Sequence, residues 1–351
     1  MRPVEAPSPA AVEPPTVPGG VVTGLGAIDT VDPRLAARIA IQEAPDLPHV
    51  PELPLRGPWA QPLGRLGALL VDLPVELEAG RWRLASGGGR DLRRARAMVG
   101  EDLDAVEEQW NGYSGMAKLQ VLGPLSAAAT LELRGGEAVA SDSGAVDDLT
   151  ASLVEGVAEH VVELSRRVPG ATWVAQIDEP VAADLVRGRV RRSSGWGVVD
   201  AMPAVDAAEL LRRVVRCAHD EGAGVVVHSC DAAPDWGLLT GSGADVLSVP
   251  LPRLDDDLLG WADPVDSWWN DGRGLWAAVE RPEDVSGSVA AARLLASVMG
   301  ADADQLARRL VLTPRCGWAP GRRPGAPEVA APVGAQAYAD VRALLRQLAQ
   351  G

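Results

Sequence analysis

The chain has 351 residues, of which 47% are hydrophobic, and a formal net charge of −15. This length can bury a large core, either in one barrel or in two ordinary domains. The acidic balance argues against nucleic acid or an anionic membrane surface as a partner, and no apolar run is long enough to span a bilayer.

The start of the chain predicts a tail followed by the first elements of an α/β domain. Residues 1–20 are proline-rich and are expected to be disordered, without the apolar centre of a signal peptide, so a cytoplasmic location is expected. Residues 21–27 predict a strand that runs into a glycine turn, and residues 32–39 predict a capped helix. The second core strand is either 47–54 or 68–73, both of which are short apolar runs.

The rest of the chain alternates between strand and helix patterns. The predicted strands are followed by long amphipathic or apolar helical stretches, without a composition break that would mark a second domain. Alternation of this kind, about eight times, predicts a (β/α)8 TIM barrel over residues 21–351. The predicted strands are 117–124, 172–180, 225–230, 245–249, 275–279 and 310–312, and the predicted helices are 91–110, 144–168, 204–220 and 335–349.

The valine-rich strand predicted over 225–230 ends with His228 and Cys230, which are candidate metal ligands. Because side chains alternate along a strand, the imidazole and the thiol point the same way and can bind one ion. Cys316 follows another apolar run and supplies a third ligand. Nitrogen and sulfur ligands favour zinc, and three protein ligands with an open position are typical of a catalytic zinc. Cys217 lies on the apolar side of a predicted helix and is interpreted as core.

The alternative interpretation is a core histidine with two small buried cysteines, since buried free cysteine behaves as a small hydrophobe. The barrel prediction favours the metal site, because barrel enzymes place their active sites at the carboxyl ends of the strands. Six polar or glycine positions fall at these ends: Gly26, Asp178, Glu179, His228, Cys230 and Cys316. Lys118, the single lysine, is interpreted as a surface group rather than a Schiff-base lysine.

Four motifs carry a resemblance to the catalytic barrel of cobalamin-independent methionine synthase and its single-barrel relatives. An opening glycine turn, a carboxylate segment, a zinc pair and a last zinc cysteine occur in the order of that family. They are Thr23-Gly24-Leu25-Gly26-Ala27, Gln176-Ile177-Asp178-Glu179-Pro180, His228-Ser229-Cys230 and Pro314-Arg315-Cys316-Gly317. The resemblance spans residues 21–351.

The resemblance implies a methyltransferase of methionine biosynthesis. In that family zinc binds the thiol of homocysteine as a thiolate, which takes a methyl group from 5-methyltetrahydrofolate. The implied zinc ligands are His228, Cys230 and Cys316. By the same resemblance Asp178 holds the substrate amino group and Glu52 is a second carboxylate for it, while Gly26 and Ala27 belong to the substrate-binding turn.

The chain departs from the family pattern on the side of the methyl donor. Pro250 stands where the family has its fourth zinc ligand, a glutamate, and the nearest carboxylates are in 255–257. Ala27 replaces a serine. A polyanionic folate suits an acidic chain only if arginines such as Arg56 and Arg65 gather at the mouth. Two alternatives remain: a corrinoid-dependent thiol methyltransferase with a corrinoid partner protein, and a catalytically silent barrel that binds zinc or a thiol.

Overall fold

A computed structural model of the chain describes residues 16–17, 19–231, 233–250, 259–279, 285–302, 305, 309–314, 318–319, 328–329 and 335–348. Most of the predicted tail, the 255–257 carboxylates and Cys316 lie outside the described residues. None of the helices in the described part has the length and apolar character that a bilayer-spanning helix needs.

The centre of the fold is a parallel sheet of six strands in chain order, β3 to β8, and β1 and β2 form a separate antiparallel hairpin. Successive parallel strands joined through helices are the arrangement that the alternating pattern predicts. The strands are β1 Val75–Glu78, β2 Arg81–Leu84, β3 Gly115–Leu122, β4 Ala171–Asp178, β5 Gly224–His228, β6 Val246–Pro250, β7 Gly274–Val279 and β8 Leu310–Pro314, with a further short pair of Trp318–Ala319 and Glu328–Val329.

Helices follow the strands and cover the outer face of the sheet. The first helix begins after Asp32, whose carboxylate accepts hydrogen bonds from Arg34 N and Leu35 N, so its predicted cap is confirmed. The helices are α1 Pro33–Glu43, α2 Pro62–Leu69, α3 Arg90–Gln109, α4 Pro124–Thr130, α5 Ser143–Arg167, α6 Ala182–Val186, α7 Ala204–Asp220, α8 Trp236–Thr240, α9 Leu259–Asn270, α10 Val285–Val298 and a last one, Ala335–Leu348, and the 3₁₀ turns are Pro54–Arg56, Pro58–Ala60 and Val139–Ser141.

Two extended segments near the N-terminus contact the two edges of the sheet. Val22 forms an isolated parallel bridge with Leu312 of β8, and His49 forms one with Lys118 of β3. The two segments also contact each other, through a bridge between Ala27 and Glu52. The sheet is therefore curled. Of the predicted (β/α)8 barrel, the described residues show an α/β fold around a curled parallel sheet of six strands, with isolated bridges at its open side, and a closed barrel of eight strands stays a prediction.

The inner face of the sheet is apolar at one end and polar at the other. An apolar cluster of inward-facing side chains, Leu47, Val174, Val226, Val246, Trp276 and Val311, fills the amino-terminal end of the strands. Two residues further along, the inward-facing side chains of four strands are polar and buried: Gln176, His228, Ser248 and Thr313. The strands thus bring buried polar groups together at their carboxyl ends.

Candidate functional site

The ends of β4, β5 and β6 lie side by side in register. Asp178 pairs with His228, and His228 pairs with Ser248. Because the three strands are parallel and adjacent, their inward-facing side chains at this level share one end of the sheet. The predicted meeting of the Asp178 carboxylate and the His228 imidazole therefore follows from the register.

The His228 imidazole is held in place by its neighbours. The ring is only 1% exposed, and its Nδ1 lies 2.9 Å from the Ser248 hydroxyl oxygen. Burial lowers the pKa of His228, but a hydrogen bond with the Cys230 side chain and the charge of Asp178 outweigh burial, so the pKa is raised. Cys230 also packs against Leu25 and Ala278.

The donor set of this pair fits a soft metal ion. A histidine ligand is usually oriented by a hydrogen bond at its second ring nitrogen, as Ser248 does for His228, and a thiol in contact with the ring supplies sulfur. Within the described residues, no group of three or more His, Cys, Asp or Glu side chains is placed to hold a metal ion. The third predicted ligand, Cys316, lies outside them, so the predicted trio stays a prediction.

Asp178 is a buried carboxylate on the inner side of the site. It is 4% exposed and accepts a hydrogen bond of 2.7 Å from Gln176 Nε2. Burial raises its pKa to about 7, and the charge of Glu52 adds to this effect, whereas the charges of His228 and Lys118 lower it. The Gln176 amide nitrogen also donates to the Leu25 carbonyl, at 3.2 Å, so its orientation toward Asp178 is fixed.

Lys118 lies at the centre of this polar layer, and its interpretation as a surface group is wrong. The residue is fully buried, and its Nζ donates to Gln176 Oε1 at 2.8 Å and to Gln120 Oε1 at 3.2 Å. The strand pattern contained the signal: Ala117 and Leu119 alternate with Lys118, so that the outer face of β3 is apolar and the lysine points inward. Lys118 therefore supplies the hydrogen-bond donor for the side-chain oxygens of two buried amides, Gln120 and Gln176.

Glu52 comes from the extended segment that meets β3. It is 8% exposed, and burial raises its pKa, whereas the charges of Arg65 and Lys118 oppose the rise. Its backbone nitrogen donates to Gly26 O, and its carbonyl accepts from Ile28 N, both at 2.9 Å. Gly26 has φ 132°, and a Cβ there would lie 3.1 Å from Glu52 Oε2, so the turn needs glycine. Ala27, half-buried, forms the bridge to Glu52.

A cavity joins the two carboxylates. It is about 370 Å³ in volume, counted to its opening, and is lined by Glu52, Arg65, Gln120, His160 and Asp178 together with apolar side chains of α2, α3 and β3. The structure thus places Asp178 and Glu52 on one cavity and the Gly26 turn next to Glu52, and their role in substrate binding stays a prediction. His160 of α5 is a residue that the sequence analysis missed.

Arg56 and Arg65, the arginines that a folate would need at the mouth of the site, contact carboxylates of the chain. Arg65 Nε lies 3.3 Å from Glu52 Oε1, and its Nη1 lies 2.6 Å from Asp102 Oδ2. Arg56 binds the other oxygen of Asp102, at 2.5 Å, and also Glu101. Arg56, Arg65, Glu52 and Asp102 thus form a buried charge network beside the cavity, and the exposed Glu101 lies at its outer end.

Glu179, the second carboxylate of the same segment, turns away from the site to α4. It accepts hydrogen bonds from Leu125 N at 3.0 Å, Ser126 N at 2.7 Å and the Ser126 hydroxyl at 2.7 Å. The two backbone donors are among the first amides of α4, which lack helical partners. Burial raises the pKa of Glu179 to about 7 in spite of these hydrogen bonds, which lower it.

We expect Glu179→Gln to change how stability depends on pH. A carboxyl with a folded pKa of about 7 and an ordinary value of 4.5 contributes stability below pH 4.5 that is lost as the pH rises through 7. The wild type should therefore lose about 3 kcal/mol relative to the glutamine variant between these pH values. Urea unfolding at a series of pH values measures the difference, and parallel profiles for the two proteins would contradict it.

The other cysteine in the described residues is remote from the site. Cys217 lies in α7, and its thiol donates to the Val154 carbonyl at 3.0 Å. Burial raises its pKa to about 11. The thiol is therefore a packed, protonated group, as the core interpretation predicts.

β6 ends at Pro250. A proline side chain has no atom that can bind a metal ion, so this position, which the resemblance aligns with a zinc-binding glutamate, supplies no ligand.

Comparisons with known proteins find solved structures that resemble this fold at low sequence identity. No family model and no curated protein matches the chain. A B12-independent methionine synthase from Shewanella sp. W3-18-1, solved in complex with selenomethionine, is 13% identical over 96% of this chain and 98% of that one, with a TM-score of 0.49. A phosphoribosyl anthranilate isomerase from Thermus thermophilus is 14% identical over 71% of this chain and 80% of that one, with a TM-score of 0.30.

A third similar structure is 2,3-dimethylmalate lyase, described as a member of the PEP mutase/isocitrate lyase superfamily. It is 15% identical over 81% of each chain, with a TM-score of 0.29. At these identities and scores the likeness carries no argument about activity. The function of the chain has to be argued from its own residues.

Proposed function

We propose that the chain is a zinc-dependent methyltransferase that methylates the thiol of an amino acid such as homocysteine, in the manner of cobalamin-independent methionine synthase. The proposal rests on one arrangement: the buried His228, oriented by Ser248 and in contact with Cys230, lies next to the Asp178 carboxylate on the neighbouring strand. In the same proposal the segments around Val22 and His49 complete an eight-stranded barrel.

In this proposal His228, Cys230 and Cys316 would hold the zinc ion. An ion held there would supply the Lewis acidity that keeps a substrate thiol deprotonated, and the thiolate is the nucleophile that methyl transfer needs. His228 is kept in one orientation by Ser248. The apolar contacts of Cys230 with Leu25 and Ala278 exclude water from one side of the pair.

Asp178 and Glu52 bind the substrate ammonium in this account. Both carboxylates line one cavity, and each is held from behind, Asp178 by the Gln176 amide and Glu52 by Arg65. A cation placed between two buried carboxylates gains charge-assisted hydrogen bonds that exposed carboxylates would not provide. The proposed methyl donor is 5-methyltetrahydrofolate. Arg56 already contacts two carboxylates, so groups other than Arg56 would have to bind a folate tail.

The test uses two neighbouring carboxyls. Asp178→Asn keeps the shape and the acceptor for Gln176 but removes the charge. It should therefore weaken homocysteine binding about 10-fold to 100-fold while zinc stays bound. Glu179→Gln is the matched control, because its carboxyl is occupied by α4, and it should leave binding unchanged. Titration calorimetry at pH 8, above the Asp178 pKa of about 7, measures both, with zinc content from elemental analysis.

The result that would count against the proposal is equally specific. If Asp178→Asn and Glu179→Gln bind homocysteine as tightly as the wild type does, Asp178 does not bind the ammonium. If the wild type binds zinc and homocysteine but transfers no methyl group from either a methylated folate or a methylated corrinoid protein, the silent barrel replaces the methyltransferase.

A further inference from the structure

The cavity beside Asp178 is lined by the Arg65 guanidinium, two of whose three nitrogens contact carboxylates. Arg65 is 6% exposed, its Nε faces Glu52 and its Nη1 faces Asp102. Across the described part of the chain, Nη2 has no hydrogen-bond partner, although Arg65 lines the cavity. The free Nη2 of this largely buried guanidinium is therefore a donor that an acceptor group of a ligand in the cavity could use.

A second unfilled polar group lines the same cavity. His160 of α5 is 6% exposed, and its imidazole forms no hydrogen bond with any described residue. Burial, with a smaller contribution from the charge of Arg65, lowers its pKa to about 4. The ring is therefore neutral near pH 7 and carries one N–H that can donate to an anion.

We propose that Arg65, assisted by His160, binds the carboxylate of an α-amino acid whose ammonium lies between Glu52 and Asp178. This proposal takes the position of the ammonium from the proposed function. It adds the donors for the carboxylate, which would favour a zwitterion over a ligand with only one of the two charges. Glu52 Oε1 and Arg65 Nε are 3.3 Å apart, so the carboxylate proposed to accept from the ammonium lies beside the guanidinium whose Nη2 is proposed to donate to the substrate carboxylate. In an α-amino acid the two charged groups are joined through a single carbon atom.

The charge of the cavity favours a zwitterion over a plain anion or a plain amine. Glu52 and Arg65 form a neutral pair, which matches the zero net charge of an α-amino acid. A lone anion would meet the Glu52 and Asp178 carboxylates, and a lone amine would leave Arg65 Nη2 unfilled. Asp102, fully buried and held by both Arg65 and Arg56, keeps the Arg65 guanidinium in place.

The experiment compares three ligands that carry a thioether instead of a thiol. L-methionine has both charged groups, L-methioninol lacks the carboxylate, and 4-(methylthio)butanoate lacks the ammonium. Titration calorimetry at pH 8 should show methionine bound about 10-fold to 100-fold more tightly than either analogue by the wild-type protein. Arg65→Met should abolish the preference for methionine over methioninol, and His160→Leu should reduce it.

Arg56→Met is the matched control. It removes the other guanidinium that binds Asp102, but Arg56 does not line the cavity, so the preference for methionine should remain. Arg65→Lys, which keeps the charge with fewer donors, serves if Arg65→Met does not fold; it should retain only part of the preference.

The proposal is overturned if the wild type does not distinguish methionine from methioninol, if it binds no α-amino acid, or if Arg56→Met removes the preference as fully as Arg65→Met does. These ligands have no thiol, so their binding does not depend on sulfur activation by zinc. A failure of thiol coordination with an intact preference for methionine would refute the proposed chemistry and leave the carboxylate site standing, and the reverse result would refute this site alone.

Discussion

Cys230→Ser should lower zinc affinity by at least about 100-fold, because removal of even an outer partner of a metal ligand costs 10-fold to 100-fold. Cys230 is only partly buried, so serine should leave the fold intact. Cys217→Ser is the matched control: this thiol, in α7, donates to the Val154 carbonyl of α5, and its loss should leave zinc affinity unchanged. Competition with a chromophoric chelator measures both variants.

Ser248→Ala extends the same prediction to the orientation of the imidazole. Without the hydroxyl 2.9 Å from Nδ1, His228 loses the contact that fixes its ring, and zinc affinity should fall about 10-fold to 100-fold. Equal zinc affinity in the wild type, Cys230→Ser and Ser248→Ala would show that the pair is a core histidine next to a small buried cysteine.

Lys118→Met should lower the free energy of unfolding by about 3 to 5 kcal/mol. The substitution keeps the length of the side chain, but it removes the donor for the Gln176 and Gln120 oxygens. It also removes a positive charge that acts on both Asp178 and Glu52. Each buried acceptor left without a donor costs about 1 to 3 kcal/mol. Urea unfolding at pH 8 measures the change.

Arg166→Met provides the control for the loss of one positive charge. Arg166 lies on α5 with a side chain that is 64% exposed, and it pairs with Glu163, three residues earlier on the same helix. An exposed pair of this kind contributes little to stability, because water and salt screen it. If Lys118→Met is no more destabilising than Arg166→Met, the lysine does not hold the polar layer together.

The strand ends of the site are predictable from sequence because strand periodicity is a local signal. The buried run before His228 and the segment ending at Asp178 both have the apolar character of strands covered on two faces, and parallel strand ends meet at one edge. That rule suffices to bring Asp178, His228 and Cys230 together. It does not say which polar side chains turn inward, which is how Lys118 came to be misinterpreted.

The groups behind the cavity cannot be predicted in the same way. Arg65, Asp102 and His160 come from α2, α3 and α5, and their meeting depends on how three helices pack, which periodicity does not encode.

The candidate strand 68–73 is another element that the sequence pattern does not decide. Its first residues end helix α2, because a short apolar run is compatible with either structure. The hairpin of β1 and β2 turns at Ala79 and Gly80, with φ of 50° and 80°, and it lacks the Asn-Gly or Asp-Gly signal.

The sulfur count at zinc, measured by X-ray absorption spectroscopy before and after addition of homocysteine, tests the central claim most directly. With Cys230 and Cys316 as ligands, zinc should have two sulfur neighbours in the free protein and a third when the substrate thiol binds as thiolate. A count that stays at two in millimolar homocysteine, with zinc still bound, would contradict thiol activation by this site.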